Sequence, residues 1–309
     1  MTHEPRVQGV SCGLGNVGRA NYRSAHNWAA RRPSRGEVPS PMRISIVMLL
    51  AMPVPAWADD PGALFDALRL DEVIAIMREE GIEYGEELRA DLFPSRPAAG
   101  WSAEVEDIYA AERMEVSVRE AFEDNLGDAA LAPVVEFFAS GQGVEIVSLE
   151  IDARRAMLDE AVAEAAEVRA IDLRAGNDPL IGRIEALIEA GGLIDENVVG
   201  AMNANYAFYD GLLRGGAFPG QPDEGELIAD VWAQEPQIRD ETTDWMYGYL
   251  SLAYAPLDRD ALDAYIALFR SPEGQAVNAA IFEVFNDMYV DVSRRLGLAA
   301  AAMMAGEDI

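Results

Sequence analysis

From Asp59 onward, apolar residues return every three to four positions almost without a break, and that spacing decides the fold class. Val277, Ile281, Val284, Phe285, Met288, Val292 and Leu296 mark one face of a long helix. Leu131, Val134, Val135 and Phe138 repeat the pattern in a shorter run. Pro and Gly punctuate the segments at Asp60-Pro61, Phe93-Pro94-Ser95-Arg96-Pro97, Gly176-Asn177-Asp178-Pro179, Gly215 to Gly220, and Pro256. Asp178-Pro179 reads as an N-cap followed by a proline in the first turn. No alternating run carries a hairpin signal. The expectation is an all-α protein without a β-sheet, its helices packed as one array.

The two halves resemble each other. Tyr84 to Arg89, then Phe93-Pro94, matches Tyr209 to Arg214, then Phe218-Pro219, with Met77 and Met202 in register. Trp101 matches Trp232. Leu126, Ala130, Leu131, Phe138, Ser140 and Gly143 match Leu257, Ala261, Leu262, Phe269, Ser271 and Gly274 without a gap. Two long gap-free registers predict tandem, diverged helical repeats, one over residues 59–175 and the other over 176–298. The stretch from Gly143 to about Arg174 reads as one long helix bracing both units, and 299–309 as a flexible acidic tail.

At Met42-Arg43 a basic start leads into Ile44 to Met52, then Pro53-Val54-Pro55 and Ala56-Trp57-Ala58. A basic start, a short apolar run and an Ala-x-Ala site are the parts of a secretory signal peptide over 42–58, cut after Ala58. Residues 1–41 lack apolar periodicity and read as a non-native or disordered upstream segment. The chain past Ala58 is expected in the periplasm, with no membrane span once the signal is removed.

Cleavage changes the available chemistry. Cys12, His3 and His26 all precede Ala58, and the chain has no Lys, so the portion beyond Ala58 lacks Cys, His and Lys together. That excludes thiol nucleophiles, disulfides, Ser-His-Asp machinery and metal or haem sites built on His or Cys. The formal net charge of −30, from 54 acidic against 24 basic residues, argues against nucleic acid and leaves cationic partners open.

Leu257-Asp258-Arg259-Asp260-Ala261-Leu262, followed by Phe269-Arg270-Ser271-Pro272-Glu273-Gly274-Gln275, resembles the "domain of unknown function 2059" family. That pattern is an acidic helix start, a Phe/Tyr-rich turn and Ser-Pro-x-Gly leading into a last helix. The first half departs from it, with Gly141 where Pro is expected. The resemblance implies an exported, helical, mostly proteobacterial domain, in two copies, and implies no activity or catalytic residue.

Five groups of residues could carry more than structure. Ser140 and Ser271 could be nucleophiles, but without a base they read as N-caps, with Pro272 and Glu273 suited to a first turn. Gly143 and Gly274 read as sites of close helix approach, with Phe138 and Phe269 packing across them. Trp101, Trp232, Phe93 and Phe218 could cradle a ligand but read as core. Glu150 and Asp159 stand at ion-pair spacing from Arg154 and Arg155 along one helix, and the acids in general read as solvated faces. Tyr206, Phe208, Tyr209, Tyr247, Tyr249 and Tyr254 make the second half the richer place for a binding surface. No catalytic, cofactor or metal residue is assigned. The leading expectation is a non-enzymatic binding module whose partner is an unidentified protein or cell-envelope ligand of basic character. The alternative is a carboxylate-based hydrolase of cell-wall glycan, which needs a buried carboxylate pair in a cleft.

Overall fold

The computed structural model describes residues 60–95, 98–126, 131–218 and 224–306. The signal segment, everything upstream of it, and residues 307–309 lie outside the described residues. The fold is all-α. In chain order the described helices are α1 (Pro61–Ala67), α2 (Leu70–Leu92), α3 (Ala98–Ile108), α4 (Ala111–Leu126), α5 (Ala132–Ala139), α6 (Gly141–Ala156), α7 (Glu160–Ala175), α8 (Pro179–Gly191), α9 (Leu193–Arg214), α10 (Glu224–Tyr254), α11 (Arg259–Phe269) and α12 (Pro272–Ala305).

Short polar side chains set the helix starts. The carboxylates of Asp60, Asp159, Asp178 and Asp258 each accept from a backbone N–H in the first turn of α1, α7, α8 and α11. The hydroxyls of Ser140 and Ser271 do the same for α6 and α12. Gly192, at φ +59°, closes α8 and opens α9 in one left-handed residue.

One continuous apolar core runs through both halves of the chain, from Leu64 and Phe65 in α1 to Met303 in α12. Helix α12 ties it together, because it packs on α3 and α4 as well as on α9. Its contacts with α9 advance in the same direction along both helices: Asn203 meets Asn286, Asp210 meets Arg294, and Gly215 meets Ala301. The two helices are therefore parallel. They approach so closely that a Cβ on Gly211 would lie 2.3 Å from the Arg294 carbonyl oxygen, and one on Gly297 would lie 2.1 Å from that of Phe208. Backbone rests on backbone there, which only glycine permits.

In four places the helices and their packing differ from the sequence reading. The helix expected from Gly143 to Arg174 is two helices, broken at Met157-Leu158-Asp159, because Asp159 turns to cap α7. The tail expected to be flexible is helical as far as Ala305, with Ala299, Ala300, Ala301 and Met303 buried. Trp232 lies inside α10 and is 62% exposed, so it is not core, whereas Trp101 is fully buried. At Gly143 and Gly274 the nearest neighbour is backbone rather than a phenyl ring. A Cβ at Gly143 would strike the Phe137 carbonyl oxygen at 2.2 Å, and one at Gly274 that of Leu268 at 2.0 Å. The close approach is between the last turn of one helix and the first turn of the next.

Candidate functional site: an aromatic cleft around Glu150

Helices α2, α6, α9, α10, α11 and α12 leave between them a cavity of about 520 Å³. That lies inside the range of roughly 300–1,000 Å³ usual for small-molecule sites. The lining is chiefly apolar. Trp245 and Tyr249 of α10, Phe269 of α11, and Phe282, Phe285 and Tyr289 of α12 line it while staying half-buried, so their rings keep accessible surface. Trp245 and Tyr249 stack with centroids 5.0 Å apart, and Phe269 meets Tyr265 edge-on at 4.9 Å. Gly200 and Ala204 of α9 keep the opposite wall low. A Cβ on Gly200 would meet nothing within 4 Å.

Glu150 of α6 brings a carboxyl into the lining. Ile146, Val147 and Ile151 bury the same side of α6, which draws the carboxyl out of bulk water. The Tyr254 hydroxyl donates to its Oε1 at 2.5 Å, and the Tyr265 hydroxyl also bonds to it. Tyr249 donates to the backbone carbonyl of the same residue at 3.2 Å. Burial pushes the carboxyl up to about 7, against the opposing pull of the two tyrosines. Glu150 is thus poised between its neutral and charged forms near neutrality.

Arg154, one turn on, does not pair with Glu150 as the spacing suggests. It reaches across to Glu80 of α2 in a two-bonded pair, Nε to Oε1 at 3.0 Å and Nη2 to Oε2 at 2.8 Å. Burial disfavours its charge, but Glu80 more than offsets this and holds the guanidinium protonated. Asp159 is likewise diverted, to its cap.

Of the paired Trp, Phe, Ser and Gly positions marked in sequence, Phe269 alone lines the cleft, which Glu150 and Arg154 line as well. Phe138 is buried and stands edge-on to Tyr265 at 5.9 Å, so Phe138 and Phe269 meet the same ring. Ser140 and Ser271 accept from Gly143 N at 3.2 Å and Gly274 N at 3.0 Å while donating to Phe137 O and Leu268 O, with their hydroxyls fully engaged as caps. Trp101 donates to the Gly85 carbonyl oxygen at 2.7 Å and meets Phe93 edge-on at 4.9 Å, a closed pair away from the cavity. Tyr249 and Tyr254, from the aromatic set of the second half, do reach the cleft. In sequence Glu150 looks like any surface acid. Phe282 and Tyr289 give no signal there either, because they fall beside, not on, the core stripe of α12.

Among the described residues no group of three or more His, Cys, Asp and Glu is placed to hold a metal ion, and no helix is long and apolar enough to cross a membrane. No family model matches the chain, and comparison with curated proteins and with solved structures returns no significant match.

Proposed function

We propose that this is an exported binding protein that takes a small, largely apolar ligand into the cleft around Glu150. The observation that carries the reading is the ring of half-buried aromatics facing one cavity of about 520 Å³. Large apolar side chains left accessible in a concave site lose water on contact with a ligand, and that gain drives binding. Export rests on the signal-like segment at 42–58. The same reading takes the chain as two diverged copies of one unit. Its supports are the gap-free registers and the matching Ser140 and Ser271 caps, while Trp101 and Trp232 stand in unlike environments.

The test uses the open space at Gly200. Gly200→Phe should fill the cleft without disturbing the fold and should abolish calorimetric binding of a medium-chain alcohol. Undiminished binding by this variant would remove the cleft from the proposal.

Glu150 favours a second reading, because a carboxyl poised near neutrality can act as a general acid. Glycan hydrolysis needs a second free carboxylate beside it. Glu80, the acid facing the same helix, is committed to Arg154. Cleavage of cell-wall glycan by the wild type but not by Glu150→Gln would install the hydrolase in place of the binder.

A further inference from the structure

We infer that the ligand of this cleft is a lipophilic cation, an organic ammonium on an apolar body. This rests on the reading of the cleft as a ligand site and names the chemistry that site selects.

Three observations converge on it. First, the accessible lining is rich in aromatic faces, from Trp245, Tyr249, Phe282, Phe285 and Tyr289. Such faces attract a cation through their quadrupole while also accepting an apolar body. Second, the acids are placed along the lining, with Glu150 inside and Glu196 and Glu283 exposed on α9 and α12. Third, the single arginine of the lining is Arg154, whose charge is already matched by two bonds to Glu80. An anionic head group would therefore meet carboxylates and no free positive partner. A cation would meet π-faces and a carboxylate, in a protein whose excess of acid also draws cations toward it.

The groups around Glu150 sharpen the expectation. Facing it are the hydroxyls of Tyr254 and Tyr265, with the Tyr249 hydroxyl on its backbone, while the Arg154–Glu80 pair closes on itself one turn further along α6. Burial raises all three tyrosines, so none of them ionises near neutrality. Glu150, at about 7 in the free protein, is the group that changes. A bound ammonium favours its ionised form, so binding near pH 7 expels a proton and tightens as pH rises from about 6 to about 8.

Titration calorimetry with decyltrimethylammonium, decanol and decanoate, each below its aggregation limit, separates the possibilities. The cation should bind about tenfold tighter than decanol, and decanoate weakest. In buffers of different ionisation enthalpy, the cation's heat at pH 7 should report net proton release. Glu150→Gln should remove that release and most of the cation's advantage over decanol. Equal affinity for all three, or a preference for decanoate, overturns the cation inference and leaves cleft binding standing. Failure of every probe to bind overturns both. Cation binding without proton release, or an undiminished advantage in Glu150→Gln, overturns the part assigned to Glu150.

Discussion

Glu150 shows how burial can reverse the usual effect of acid on a protein. Most native carboxylates are held below their free values, so acid destabilises the fold. The fold holds Glu150 up at about 7, against the ordinary 4.5. Below about pH 4.5 it is neutral in both folded and unfolded chains. Between about 4.5 and 7 the unfolded chain sheds the proton and the folded one retains it, so this residue's contribution to stability falls as pH rises. The full loss is at most on the order of 3 kcal/mol. Glu150→Gln should therefore melt above the wild type at pH 8 and close to it at pH 4, which thermal scans across that range would test. Ser271 acts by a different route. Its hydroxyl is spent on Gly274 N and Leu268 O, so Ser271→Ala should cost about 1 kcal/mol in a denaturant melt and leave ligand affinity unchanged. These two residues also differ in how readable they are. The cap is a local contract with a residue three places on, visible in Ser-Pro-x-Gly. Glu150 takes its character from burial, which Tyr254 and Tyr265, more than a hundred residues later, only partly oppose, and Arg154, one turn on, answers to Glu80 rather than to the helical spacing.

At the scale of elements, α9 carries two glycines with opposite roles. Gly211 lies against the backbone of α12, where an added methyl would fall 2.3 Å from the Arg294 carbonyl oxygen. Gly200 faces open space in the cleft. Gly211→Ala should destabilise by about 1–3 kcal/mol through overpacking, whereas Gly200→Ala should stabilise by about 1 kcal/mol through helix propensity. Chemical denaturation of both variants would check the pair, and Gly297→Ala should behave like Gly211→Ala. Combining Gly211→Ala with Gly297→Ala should cost less than the sum, since one separation of the helices relieves both clashes. Helix positions are legible because period and punctuation are local. The break in the Gly143–Arg174 stretch is hard to read because Asp159 also stands at ion-pair spacing from Arg155, although the same residue type caps three other helices here. The cleft side of α12 is hidden for a related reason. Val277, Val284, Met288 and Val292 satisfy the core stripe, so Phe285 reads as one more member of it, and Phe282 and Tyr289 beside it do not stand out as a second surface aimed at a cavity.

At the scale of the whole molecule, the two halves share one core, and α12 is why. It joins α3 and α4 from the first half to α9 from the second, and Arg295 of α12 reaches Asp107 at 2.9 Å across 188 residues of sequence. A chain tied in this way should unfold in a single transition. That would appear as superimposed melts followed by far-ultraviolet circular dichroism and by calorimetry. A sequence divided at residue 176 suggests two separable units, and periodicity cannot register that the last helix of the second also completes the first. The cleft draws its walls from both halves for the same reason, so no single segment displays it.

The burial pattern has a spectroscopic consequence. The three tryptophans of the described chain occupy three different surroundings: Trp101 is sealed in the core, Trp232 stands in water and Trp245 lines the cleft. Their emission is a sum of a blue, a red and an intermediate contribution. An aqueous quencher would dim the red part first. A molecule seated in the cleft acts at short range on Trp245 alone, so a complete titration would level off with much of the light remaining, and the portion lost would identify where the molecule sits.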